Sequence, residues 1–300
     1  MKKKTYLFAL MTMALTLGSC SDNENGIGGE TSKYITVSTS IGNMTRVATD
    51  AKGGQTFEEG DEISVYAWTG APTVAPETSE RVVNNAINKL TNGAWVATPQ
   101  MLWKNNSDKH YFIGVYPISA ISDLSAGEYI FDANKQTESD LLVAVNPDGL
   151  SYSADAQQTV PLTFTHVMAK LAVNLTYKNQ WGGIPTVEKV VVGNAAKEAT
   201  INYLTKVVTP STTAKEDFSL PEITENTKYV SVIIPQEEVT QLTIVIGGKN
   251  FVYDNGTPFK LESGKITTVN LEVGRDEIKL GDVKITNWED GSTFSGEALN

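Results

Sequence analysis

The 300-residue sequence holds one cysteine and two histidines. A single cysteine excludes an intramolecular disulfide framework and any zinc cluster built on thiolates. With only His110 and His166, a three-histidine metal site is excluded, and so is a bis-histidine haem with a third histidine left for catalysis. Positive charge is also scarce: 24 Lys and Arg stand against 35 Asp and Glu, for a formal net charge of −11. An acidic chain repels a phosphate backbone, so no nucleic-acid partner is expected. There is no G-x-S-x-G nucleophile elbow, and no glycine-rich segment opens a helix to cradle phosphate. The acids are numerous, but nothing in their spacing singles out a catalytic pair. The sequence therefore predicts no enzyme, no catalytic residue, no cofactor and no metal.

Long apolar runs are missing except at the start. Lys2, Lys3 and Lys4 precede an apolar stretch over residues 6–17. That stretch is shorter than the roughly 20 residues a membrane-spanning helix needs, and it has the form of a signal peptide covering residues 1–19. It ends Leu17-Gly18-Ser19-Cys20, which resembles a bacterial lipobox, so the mature chain is expected to begin at a lipid-modified Cys20. Two or three acyl chains, at about 0.8 kcal/mol per buried methylene, make a stable anchor in the outer membrane. Residues 20–33 read as a flexible spacer. Within it, Ser21-Asp22-Asn23-Glu24 resembles surface-export signals of Gram-negative lipoproteins and points to the outer face.

From residue 34 the pattern is strand after strand. Ile35, Val37, Thr39 and Ile41 alternate with Thr36, Ser38 and Ser40, a period of two in β-branched side chains that marks a half-buried strand. Similar runs recur at 63–69, 111–116, 160–164, 168–177, 187–193, 229–235, 242–247, 250–254, 266–273 and 278–286, separated by turns such as Asn92-Gly93, Asp148-Gly149 and Ser263-Gly264. Residues 80–90 have some helical spacing, but Val82-Val83 and Asn84-Asn85 argue against a helix. The expected fold is all-β, with two β-sandwiches in tandem over residues 34–165 and 166–300.

Few side chains invite a chemical reading. His110 stands at the entry to a strand and is expected to be exposed, whereas His166, among apolar neighbours, reads as a buried, hydrogen-bonded structural residue. Trp68, Trp95, Trp103, Trp181 and Trp288 suit core packing. As exposed platforms they would instead make the protein a surface glycan-binding lipoprotein. Trp68 falls with Tyr66 on the strand face opposite Ile63, Val65 and Ala67.

One set of motifs runs the length of the chain. After the lipobox come Thr45-Arg46, residues 57–67 (FEEGDEISVYA), residues 111–117 (YFIGVYP), residues 163–171 (TFTHVMAKL), Gly264-Lys265-Ile266-Thr267 and Ile285-Thr286-Asn287-Trp288. In this order they resemble the fimbrillin family, including its minor-fimbrillin-like group, of anaerobic Gram-negative bacteria. The resemblance implies transthyretin-like sandwiches, lipoprotein export, and assembly into a surface fimbrium for cell adhesion. It also implies a mechanism: an arginine-specific protease cuts after the first strand, that strand leaves, and another pilin subunit's C-terminal strand fills the groove. Here the removable strand would be residues 34–43 and the cut Arg46-Val47. The donor tail would be residues 276–288, carrying Ile278, Leu280, Val283 and Ile285. The alternation of these four changes face across Gly281-Asp282, which predicts a bend or bulge. The partners so implied are other subunits, the outer membrane through the lipid, and a host or bacterial surface ligand. Stalk, tip, anchor and stand-alone roles all remain open at this point.

Overall fold

In the computed structural model, which describes residues 33–42, 56–136, 138–153, 158–239, 241–254 and 258–288, the period-two pattern becomes 21 β-strands. No α-helix occurs among the described residues, and the only helical turns are two 3-10 turns, Thr78–Glu80 and Asn179–Trp181. Cys20, Arg46 and Val47 lie outside the described residues. The first eight strands are β1 (Thr36–Ile41), β2 (Glu62–Thr69), β3 (Val83–Thr91), β4 (Ala94–Thr98), β5 (His110–Tyr116), β6 (Gly127–Ile130), β7 (Leu142–Leu150) and β8 (Thr159–His166). Then follow β9 (Ala169–Tyr177), β10 (Val187–Ala196), β11 (Glu198–Asn202), β12 (Val207–Pro210), β13 (Lys215–Ser219), β14 (Glu222–Thr224) and β15 (Lys228–Ile233). The last six are β16 (Gln236–Val239), β17 (Leu242–Ile246), β18 (Lys249–Tyr253), β19 (Phe259–Leu261), β20 (Lys265–Val273) and β21 (Ile278–Asn287).

Seven of the first eight strands form one sheet in the order β1-β8-β7-β5-β2-β3-β4. One of its interior strands, β2, is apolar on both faces, which places it between two cores. Ile63, Val65 and Ala67 face a core shared with Ile35, Val37, Phe112, Leu162 and Phe164. Tyr66 and Trp68 face the other way, into a core that includes Ile113, Val143, Met168, Val190, Ile244 and Trp288. Residues on both sides of position 165 therefore share this second core. Backbone pairing nevertheless changes at this point. Apart from β6, which pairs with β11, the strands up to His166 pair among themselves and those from Ala169 onward do likewise.

The later strands make a five-stranded sheet, β14-β15-β9-β20-β21, and a four-stranded sheet, β13-β10-β17-β18, with the smaller sheets β12-β11-β6 and β16-β19. Two pairings are parallel: β1 with β8, and β20 with β9. Both β1 and β21 are edge strands of their sheets.

Candidate functional site

The first and last strands of the seven-stranded sheet face each other across a seam. At one end the seam is zipped. Tyr34 and Leu102 form an antiparallel bridge, the Ile35 N–H donates to the Met101 carbonyl at 3.0 Å, and the Trp103 N–H donates to that of Lys33 at 3.2 Å. Further along, β1 and β4 separate, and a cleft of about 700 Å³ lies between them, lined by β1 together with Phe57, Leu90 and Trp95. Across it the indole N–H of Trp95 donates to the Thr39 hydroxyl at 3.0 Å. Phe57 packs edge-on against Trp95, Tyr116 and Phe164 at 5.1–5.4 Å.

On its other side β1 follows β8 in parallel register, from Thr36 opposite Thr159 to Ile41 opposite Phe164. Outward-facing hydroxyls meet in pairs, Thr36 with Thr159 and Ser40 with Thr163, each at 3.2 Å. Inward, Ile35, Val37 and Ile41 are buried. The alternation read from the sequence thus settles this strand's apolar face, with half-buried Thr39 as its one polar member.

The tail is held differently. None of the ten residues of β21 is buried; Ile278 and Leu280 are half-buried, and Val283 and Ile285 are 37% and 38% exposed. The pairing with β20 shifts between Val269 and Leu271, so that Leu280 faces Leu271 while Val283 faces Val269. One extra residue on the β21 side is a β-bulge, and the Asn270 amide holds it by donating to the Asp282 carboxylate at 2.9 Å. The bulge resets the alternation: Ile278, Leu280, Val283 and Ile285 lie opposite Val273, Leu271, Val269 and Thr267, all on one face.

The tail's start is tied to the second 3-10 turn. Lys178 pairs with Glu277, the Arg275 N–H donates to Gln180 at 3.1 Å, and the Trp181 indole N–H donates to the Val273 carbonyl at 2.9 Å. The tail's end is Trp288, buried against His166.

The tryptophans do not form open platforms. Trp68 is 2% exposed and its N–H donates to the Ala71 carbonyl; Trp288 is buried, and Trp95, Trp103 and Trp181 are half-buried. His166 is buried and bonded to Asp140 at 2.8 Å, as the structural reading requires.

His110 is a correction. The sequence places it in solvent, but it is fully buried, because the segment from Met101 onward folds over it and sets the Trp103 ring edge-on at 5.0 Å. Its Nδ1–H donates to the Asp108 carbonyl at 3.1 Å, and its Nε2 accepts the Lys104 N–H at 3.0 Å. Burial lowers its pKa. Among the described residues no three His, Cys, Asp or Glu side chains converge as metal ligands would.

Residues 45–288 match the sequence model of a family described as fimbrillin-like. None of the curated proteins matches the chain. Several solved structures share the fold. One is a Bacteroides uniformis protein provisionally assigned to cell adhesion, with a TM-score of 0.66 at 17% identity over 86% of this chain and 100% of its own. A fimbrial protein from Bacteroides vulgatus has a TM-score of 0.50 at 12% identity over 84% and 99%. A tip fimbrial protein from Porphyromonas gingivalis, truncated at its C-terminus, has a TM-score of 0.50 at 11% identity over 77% and 95%.

Proposed function

The chain belongs to the fimbrillin-like family, and from that premise we propose that it is a cell-surface fimbrial subunit for adhesion that assembles by exchange of strands. In this reading it is exported as a lipoprotein through Cys20, anchored in the outer membrane, and cut between Arg46 and Val47. Strand β1 then leaves, and the β21 of another subunit takes its place.

The observation that carries the reading is the unequal burial of the two strands. Ile35, Val37 and Ile41 of the β1 segment are at most 8% exposed. At roughly 1.5–3 kcal/mol each, their burial contributes about 5–9 kcal/mol. The four apolar side chains of β21 are half-buried or exposed where they now lie, so moving them into a vacated groove gains apolar burial. Backbone pairing along β8 would supply further affinity, and the alternating side chains would supply register. The part over residues 34–165 would provide the groove and the part over 166–300 the tail. Such a contact between unlike surfaces propagates as a fibre where its rotation does not close into a ring.

Digestion of the full chain with an arginine-specific protease tests this. Cleavage after Arg46 should be followed by loss of the β1 peptide and a ladder of oligomers that withstand detergent. A cut chain that stays monomeric refutes the strand exchange.

A further inference from the structure

Strand β21 buries none of its ten residues and exposes seven of them, whereas the residue that follows it is buried. Trp288 is 9% exposed, and four separate parts of the chain converge on it. The His166 imidazole, at the end of β8, stacks on the indole with ring centroids 3.9 Å apart and planes 6° apart. The Lys170 ammonium, from β9, stands 4.1 Å from the indole centroid. Asp140, just before β7, bonds His166 Nδ1 at 2.8 Å and so fixes the plane against which Trp288 lies. The Trp288 backbone N–H donates to the carbonyl of Gly264, in the turn before β20, at 3.0 Å.

We propose that Trp288 is the clasp of the C-terminal strand: its seat on His166 and Lys170, more than the side chains of β21 itself, decides whether that strand lies on β20 or swings free. The strand's four apolar side chains are at best half-buried where it lies. Trp288 by contrast buries a large aromatic surface, stacks on a ring and carries a cation–π contact. The seat also lies where backbone pairing changes, between β8 and β9, so the clasp ties the last strand to that junction. This inference deepens the strand-exchange reading, since a donor tail must leave its own sheet before it reaches another subunit. The clasp itself is a property of one folded chain.

Hydrogen exchange on the full, uncut protein tests it, with Trp288→Ala as the variant and the β2 and β5 amides as an internal reference. The amides of residues 278–287 are expected to exchange roughly a hundredfold faster than in the wild type while the reference amides keep their rates. Trp288→Phe, which keeps a ring on His166, should restore most of the protection. Ile278→Ala should accelerate β21 by less than Trp288→Ala does. Unchanged β21 exchange in Trp288→Ala overturns the clasp. Equal acceleration of β21 and the reference overturns it as well, since Trp288 would then be ordinary core. If β21 is released as expected but protease-cut protein still does not assemble, the clasp stands and the strand-exchange reading falls.

Discussion

The indole N–H of Trp95 reaches 3.0 Å across the seam to the hydroxyl of Thr39, joining the last strand of the seven-stranded sheet to the first. Beyond the zipped end, where the two strands separate, this side-chain bond bridges the gap. Replacing the hydroxyl by a methyl in Thr39→Val removes the acceptor and keeps the shape. A single bond of this kind at a half-buried site contributes about 1 kcal/mol. A drop of that order in the urea unfolding free energy is expected, with faster hydrogen exchange over residues 36–41 than elsewhere in the sheet.

If β21 is the donor strand proposed above, its exposed half serves assembly and not the folding of its own subunit. Val283 and Ile285 are 37% and 38% exposed, so Val283→Asp with Ile285→Asp should cost the subunit little, within about 1 kcal/mol. The same two carboxylates could not enter an apolar groove without a large desolvation cost. The double variant is expected to fold and to be cut like the wild type, yet to form no detergent-resistant oligomers on a denaturing gel.

Gly114 occupies the middle of β5, where a glycine weakens a strand. The reason is a close approach: a Cβ there would stand 2.6 Å from Cζ of Phe164 and 3.1 Å from Cδ1 of Leu162. Gly114→Ala should destabilise the protein by about 1–3 kcal/mol through overpacking, measured by chemical denaturation.

Buried His110 gives the stability a pH dependence of known sign. Burial lowers its folded-state pKa, while in the unfolded chain it titrates at about 6.5. Below that pH the unfolded chain binds the extra proton first, so the contribution is complete above about pH 6.5 and is lost as pH falls toward the folded value. Urea midpoints of the wild type should therefore decline more steeply between about pH 7 and pH 5 than those of His110→Gln.

What could be read from the sequence was local. The inward face of β1 follows from alternation alone, and the bulge at Gly281-Asp282 shows as a break in period two. Residues 80–90, where Val82-Val83 and Asn84-Asn85 argue against a helix, hold the end of a 3-10 turn and most of β3. What could not be read depends on contacts between distant segments. Alternation puts Tyr66 and Trp68 on one face of β2, but only the packing of the later sheets makes that face a core. His110 is buried by a loop whose path no periodicity records. Trp288 and His166 lie far apart in sequence, and nothing local announces that their rings stack. The facing of β1 and β4 follows from the curl of a whole sheet, which belongs to no single strand.

The central claim is that a subunit gives up its first strand and receives another's last. Intact mass and N-terminal sequencing of the protein taken from fimbriae on native cells test it most directly. The account predicts a chain that begins at Val47 and carries no lipid. A chain that begins at acylated Cys20 and retains residues 34–43 would contradict it.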